Sequence, residues 1–321
     1  MIAQSASRSK ARTDATVVVP TFRRPQSLLR CLAGIAQQTY RPEVIVVTRM
    51  DDDETAACIA IARPVATRII QVREPGQMAA MAAGLAAATT EYVAFTDDDA
   101  VPRPDWIERL MILVSSPGVG AAGGRDAIGG ANSGWITGES KVGKLSQWGR
   151  LTGNHHLGIG PAREVDVLKG VNCLYRREAV AIPRNLKGDG AQVHNEVGIG
   201  LRAKHHGWQL IYDPAAVVDH YPAPRHGSDT RDRPAASAIR DAAYNLTFVV
   251  GSFGFERAAQ RAVYALVIGD RAQPGVLRAA AALPSRDGRE VLRRLVPAVM
   301  GNIEAVYDLL RGQRLQFFES G

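Results

Sequence analysis

Within its first hundred residues the chain alternates four apolar runs with segments of helical periodicity, and few folds accept that pattern. "TVVVP" (residues 16–20), "EVIVV" (43–47), "TRIIQV" (67–72) and "YVAF" (92–95) read as buried strands. Behind the first, "RPQSLLRCLAGIAQQ" places apolar residues at helical spacing after Pro25, a favoured first helical residue. "ETAACIAIAR" and the alanine-rich "GQMAAMAAGLAAATT" supply the next two helices. Repeated strand and helix units imply an open α/β sheet, mostly parallel, with helices on both faces. In such sheets ligands gather at the carboxyl ends of the strands, above all where the strand order switches.

That edge is where the acids concentrate. Asp51, Asp52 and Asp53 follow the second strand, and Asp97, Asp98 and Asp99 follow the fourth. Three adjacent carboxylates repel one another unless solvent or a cation relieves them. A hard divalent cation takes carboxylate oxygens and commonly bridges them to substrate phosphates, so either triplet is a candidate. Asp97 and Asp99 lie two apart and share a side of an extended chain, the D-x-D arrangement. A solvated acidic turn gives the same letters, and the 51–53 triplet shows how easily they arise.

Composition narrows the partners. With 46% hydrophobic and 22% charged residues, the chain can bury a sizeable core. No run approaches the roughly 20 apolar residues that span a bilayer, which argues against an integral membrane protein. Cys31, Cys58 and Cys173 show no C-x-x-C spacing, as expected of reduced thiols in the cytoplasm. The net charge of +7 calls for an anionic partner: nucleic acid, a membrane surface or a phosphorylated substrate. No basic cluster with interleaved aromatics favours nucleic acid.

The chain divides into a polar tail (1–14), read as disordered, an α/β domain (15–227) and a helical region (228–321). From about 118 to 165 the composition turns glycine-rich and reads as irregular, with loops long enough to be functional. "VDVLKGVNCLYRREAV" reads as strand, turn and helix start. "HNEVGIGLRAKHHGWQLIYDPAAVVDHYP" reads as helix, strand, turn and short strand.

"PTFRRPQSLLRCL", "FTDDDAVPRPDW", "KGVNCLYRRE", the helix leading to Gly207-Trp208 and "VVDH" follow one another in that order. Over about residues 14–225 this set resembles the family 2 glycosyltransferases, inverting enzymes of the GT-A fold that use nucleotide sugars. The resemblance implies a Rossmann-like sheet and a divalent cation, Mn2+ or Mg2+, that neutralises the diphosphate leaving group. It implies Asp99 as a cation ligand, Asp97 at the cation and the ribose or sugar side, and His220 as a further ligand. Asp98, a spectator to the cation, is counted with the nucleotide side. The family's acceptor-activating carboxylate falls on Glu196, where the usual Glu-Asp pair reads Asn195-Glu196. An acid favoured at a helix start by the dipole is the competing reading of Glu196.

Nucleotide recognition in relatives maps to Pro20, Thr21 and Arg23 of the first loop. It also maps to the residue after the second strand, here Thr48 followed by Arg49 where relatives carry an acid, with Asp52 the nearest substitute. Ala82 stands where relatives often carry Asn. Gly170 and Asn172 match the segment lining the donor sugar and acceptor, with Asn195 beside them; Gly170 allows close backbone approach and Asn172 offers donor and acceptor groups. The implied activity is transfer of a sugar from a nucleotide-diphosphate donor to a glycan or lipid-linked acceptor.

Two rivals remain. A nucleotidyltransferase wants a glycine-rich phosphate loop, and "PTFRRP" has no glycine. A silent nucleotide-sugar-binding scaffold is suggested by Thr48, Ala82 and Asn195. The arginine-rich helices after residue 228 read first as packing on the catalytic domain, and more sharply as a basic amphipathic surface on an anionic membrane.

Overall fold

The fold is that of a computed structural model, which describes residues 14–62, 65–129, 138–224, 230, 233–285 and 288–319. Most of the expected tail, the end of the glycine-rich stretch (130–137) and the boundary proposed at 227/228 lie outside the described residues.

The first four strands are β1 (Ala15–Pro20), β2 (Glu43–Arg49), β3 (Arg68–Val72) and β4 (Tyr92–Phe95). They pair in parallel in the order β3-β2-β1-β4. Helices α1 (Pro25–Ala36), α2 (Asp53–Ala62) and α3 (Gln77–Ala87) connect them. β1 is buried on both faces: Val17 and Val19 meet α1 residues Leu28 and Leu32, while Val18 turns to Met78 and Met81 of α3. Such two-sided burial selects the continuous valine run over an alternating pattern. The chain leaves β1 for β2 on one side and returns as β4 on the other, so the strand order switches between β1 and β4. The crevice beyond that switch is where a ligand fits.

Past β4 the sheet is mixed. β10 (Cys173–Arg176) runs antiparallel between β4 and β6 (Val119–Ile128). β11 (Gln209–His220) lies parallel to β6 and antiparallel to β5 (Ala100–Pro102) and β9 (Arg163–Val165). α4 (Trp106–Val114) packs Trp106, Ile107 and Leu110 into the core behind β10. A short hairpin, β7 (Lys144–Leu145) with β8 (Leu151–Thr152), stands apart.

The stretch read as irregular from residue 118 therefore begins with a buried ten-residue strand. Its glycines answer to crowding. A Cβ on Gly123 would lie 2.6 Å from the Asn172 carbonyl oxygen, and one on Gly124 would lie 1.8 Å from that of Ala216, in the bulge of β11. Two further readings differ: 177–179 is one 3-10 turn rather than a helix start, and the final segment is one bulged strand rather than two.

α5 (Asn195–His205) leads to the helical region α6 (Ala236–Ser252), α7 (Phe255–Val267), α8 (Val276–Ala282) and α9 (Gly288–Leu310). One apolar cluster joins Val197 and Leu201 of α5 to Phe248 and Val249 of α6, Leu309 of α9 and Leu315. The end of the chain returns to the sheet domain, where Phe318 N–H donates to the Ile182 carbonyl (2.9 Å). Among the described residues no helix is long and apolar enough to cross a membrane.

Candidate active site

The second acid triplet follows β4 directly into β5, and β5 pairs with the end of β11 so that Ala100 opposes His220. That register brings His220 Nε2 to 3.2 Å from Asp99 Oδ1. Asp97, Asp99 and His220 each present a ligand atom, all within 4.8 Å of one another. The other Asp99 oxygen accepts from the Ala223 N–H (2.8 Å), and Asp97 accepts from the Gln77 amide (3.2 Å). Two hard oxygens and an imidazole nitrogen at this separation form a donor set that fits a divalent cation.

The electrostatics are those of a site short of positive charge. Burial pushes the Asp97 carboxyl up to about 6, helped by the negative charge of Asp99. Asp98 also lies above its ordinary value through burial, which Arg24 and Thr21 only partly offset. For Asp99, burial is outweighed by hydrogen bonds from His220 and Ala223, which hold it low. Burial would depress His220, but Asp126 and Asp99 push it up to about 9. In the metal-free protein the imidazolium thus supplies part of the missing charge.

Asp98 points away from that cluster. Its carboxylate accepts from the Thr21 hydroxyl (2.8 Å) and from Arg24 (3.0 Å), fastening the first loop to the triplet. Arg24 also donates to the Pro224 carbonyl (2.6 Å) and lies 4.0 Å from Asp99. Arg23 goes the other way: its backbone is left-handed (φ 54°), and its guanidinium lies over the Phe22 ring, 3.6 Å from Asp51.

A cleft of about 180 Å³ opens beside the triplet. Pro20, Thr21, Thr48, Arg49 and all three acids of 97–99 line it, together with Arg24, Gln77 and Asp189. Asp52 is not among its lining residues and is 2% exposed. Its oxygens accept from the Arg23 N–H (2.6 Å), the Thr48 hydroxyl (3.2 Å) and the Thr55 N–H (3.2 Å). The expected contact between Asp52 and the nucleotide base is therefore corrected: this carboxylate braces the first loop from behind. Ala82 likewise faces away, against Phe318 and Val180, so an Asn there would miss the cleft.

The segment before α5 folds over the start of α3. Gln77 N–H donates to the Gly190 carbonyl (3.0 Å) and Met78 N–H to Gln192 Oε1 (3.1 Å), which brings residues 189–191 to the cleft wall. Left-handed backbone at Gly188, Gln192 and His194 makes the reversal into α5. Glu196 stands in the first turn of α5, half-buried. Burial first, then the charges of Asp97 and Glu196, push the Cys173 thiol up to about 12. Asn195 is 7% exposed, and its amide donates to the Ala191 (3.0 Å) and Gln192 (3.2 Å) carbonyls, shaping the turn.

Asn172 requires correction as a donor-sugar contact. It is fully buried, its oxygen accepts from Trp106 Nε1 (2.7 Å), and its amide donates to the Arg125 and Ala216 carbonyls. It is a strut between β6, β11 and α4. Gly170 differs, since a Cβ there would meet nothing within 4 Å.

Sequence reasoning missed Arg24, Gln77, Asp126 and Lys169. Arg24 and Arg23 are adjacent identical letters, separated only by the backbone turn. Gln77 signals itself weakly, as the polar residue opening an alanine-rich helix. Asp126, fully buried on β6, lay hidden in the stretch read as irregular, and Lys169 pairs with it at 2.5 Å.

The family model described as "Glycosyltransferase like family 2" matches residues 12–241, and the chain belongs to that family. It is 30% identical over 118 residues to glycosyltransferase AglE of Haloferax volcanii, covering 34% of this chain and 38% of that protein. It is 27% identical over 235 residues to the pre-mycofactocin glycosyltransferase of Mycobacterium tuberculosis, covering 70% of this chain and 46% of that one. The chain thus spans less than half the length of either relative. Among solved structures, the mannosyltransferase PcManGT from Pyrobaculum calidifontis, in complex with GDP-Man and Mn2+, matches with a TM-score of 0.55 at 17% identity. That match covers 93% of this chain and 88% of the other, and the fold is GT-A.

Proposed function

We propose that the protein is an inverting glycosyltransferase that moves a sugar from a nucleotide-diphosphate donor to a glycan or lipid-linked acceptor hydroxyl. The observation that carries the reading is the Asp97, Asp99 and His220 cluster at the wall of the switch-point cleft. A relative of this fold holds GDP-Man with Mn2+, which supports the same class of donor and cation here. Asp97, Asp99 and His220 would hold Mn2+ or Mg2+, whose charge stabilises the diphosphate as it leaves. Pro20, Thr21, Thr48 and Arg49 face the nucleotide, Arg23 flanks it over Phe22, and Asp98 keeps the first loop in place. Gly170 leaves room for the sugar. Glu196 takes the proton of the acceptor hydroxyl from the side opposite the leaving group, while Asn195 fixes the turn that presents it.

The first test is a thermal-shift series of nucleotide sugars with and without Mn2+, followed by donor hydrolysis in Mn2+ and in chelator. Stabilisation and hydrolysis that need the cation support the reading; stabilisation without hydrolysis favours the silent nucleotide-sugar-binding scaffold, and neither, with any donor, ends the reading. Release of inorganic diphosphate from a nucleoside triphosphate supplied with a sugar 1-phosphate would instead indicate nucleotidyl transfer. Glu196→Gln should lower transfer about 100- to 10,000-fold while leaving donor affinity unchanged. Retained turnover removes Glu196 from the role.

The helical region supports a peripheral membrane contact. Leu292, Val296, Met300, Ile303, Tyr307 and Leu310 are all exposed and recur every three or four residues along α9, forming one apolar stripe. Arg289 and Arg311 stand exposed at its two ends. Such a face suits an anionic bilayer, where lipid-linked acceptors reside. Flotation with vesicles of anionic phospholipid, lost in Val296→Asp/Ile303→Asp, checks it; no flotation at low salt overturns it.

A further inference from the structure

Asp126 is 0% exposed, and a carboxylate so placed is costly unless it is paired. Its Oδ2 lies 2.5 Å from Lys169 Nζ and 3.6 Å from His220 Nδ1, within ion-pair reach but just beyond a hydrogen bond. Among the described residues neither its Oδ1 nor either His220 ring nitrogen has a hydrogen-bond partner, so a small closing movement would join Oδ2 to Nδ1. The strand register explains the approach. Asp126 on β6 sits beside Val218 of β11, and residues 218 and 220 share a face of that strand, so the His220 ring meets Asp126 from one side and Asp99 from the other. The lysine is one-third exposed by side chain and would be fully hydrated if released, yet it reaches inward to this carboxylate.

We infer that Asp126 is a positioning residue for the cation site: it holds the Nδ1 side of His220 so that Nε2 faces Asp97 and Asp99, and Lys169 balances its charge. This rests on the reading of Asp97, Asp99 and His220 as cation ligands. An imidazole binds a cation through one ring nitrogen only, and the hydrogen bond made by the other nitrogen decides which one is available and how the ring is turned. Asp126 performs this from a strand core rather than a loop, so the orientation is set before the cation arrives. Gly123 and Gly124, three and two residues earlier, let β6 approach Asn172 and the β11 bulge closely enough to carry it there.

The test uses the full chain, with free Mn2+ followed by electron paramagnetic resonance during titration with MnCl2. Asp126→Asn, which keeps the side-chain shape, should weaken Mn2+ binding about 10- to 100-fold, the usual effect of losing an outer-shell partner. Lys169→Met should weaken it less. In the wild-type chain labelled with 15N-histidine and loaded with Mg2+, His220 should show a slowly exchanging Nδ1 proton far downfield; its absence overturns the inference even if Asp126→Asn does not fold. Should His220→Ala weaken Mn2+ binding while Asp126→Asn changes it less than about twofold, well below the outer-shell range, Asp126 has no positioning role and the ligand set stands. If neither His220→Ala nor Asp99→Asn affects Mn2+ binding, the ligand set itself is wrong.

Discussion

Asp51 to Asp53 and Asp97 to Asp99 are the same three letters at the ends of two parallel strands of one sheet, yet only the second triplet holds carboxyls raised above their ordinary value, at Asp97 and Asp98. In the first triplet the one buried acid, Asp52, is surrounded by donors: two backbone N–H groups and a hydroxyl, supplied by the first loop, β2 and α2. Burial alone would raise its carboxyl, but those hydrogen bonds hold it below the ordinary value. In the second triplet Asp98 is met by a hydroxyl and an arginine, while Asp97 and Asp99 each accept from one neutral donor, the Gln77 amide and the Ala223 N–H, and otherwise turn toward each other and His220. What separates a structural acid cluster from a cation site here is whether neutral donors occupy both oxygens of the buried carboxylate, as at Asp52, or leave an oxygen of each acid turned toward the others and His220, as at Asp97 and Asp99.

The largest test of that contrast is metal affinity. Asp99→Asn should weaken Mn2+ binding by more than the roughly 100-fold that marks the upper end of outer-shell losses, measured by isothermal titration. Mn2+ should raise the melting temperature of the wild type and not of this variant, because a ligand stabilises only the state that binds it. Equal Mn2+ affinity in the two proteins would place the cation elsewhere.

Asp52→Ala attacks the other side of the comparison. It strands three donors, so it should cost about 2 to 3 kcal/mol of stability in urea unfolding while leaving Mn2+ affinity intact. The sign with pH follows from its depressed carboxyl: the contribution is present above the ordinary carboxylate value of 3.8 and is lost as pH falls below it. The deficit of the variant should therefore shrink in acid.

Asp97→Asn should do the reverse in the metal-free protein. Its carboxyl is pushed from 3.8 up to about 6, so the folded state favours the protonated form. Stability from this group is full below 3.8 and lost as pH rises through about 6. The amide, which never ionises, should gain up to about 3 kcal/mol over wild type at pH 7.5 and nothing near pH 4. Metal-free stability that moves the same way with pH in Asp52→Ala and Asp97→Asn would erase the distinction between the triplets.

The chain's periodicities made the strand-switch edge legible up to Asp99, because β1 to β4 are buried on both faces and leave continuous apolar runs. The family resemblance carried by "DDDA", "KGVN" and "VVDH" in that order implied Asp97, Asp99 and His220 as one site. β6 was illegible for a physical reason: its glycines are selected by contact with Asn172 and Ala216, partners distant in sequence, and local pattern records no such contact. Asp126 was lost with it. Asn172 failed in the opposite direction, since a residue suited to sugar hydroxyls is equally suited to three buried backbone and indole partners. Arg23 and Arg24 are the same letter, and the left-handed turn at Arg23 separates a guanidinium paired with Asp51 from one bonded to Asp98.

The smallest expected effect is the most discriminating control. Asp51 is 49% exposed by side chain and pairs with Arg49 (2.9 Å) and Arg23 (3.6 Å), both partly hydrated. Exposed pairs of this kind contribute about 0 to 1 kcal/mol, so Asp51→Ala should shift the urea midpoint barely and leave Mn2+ affinity unchanged. It removes one charge from a triplet of equal formal charge to 97–99. If total acidity along the strand ends attracted the cation, Asp51→Ala would weaken Mn2+ binding through space, most of all at low salt where screening is weakest. Unchanged affinity at low salt, beside the collapse in Asp99→Asn, would show that the arrangement of oxygens around His220 selects the ion and that the neighbouring charge does not.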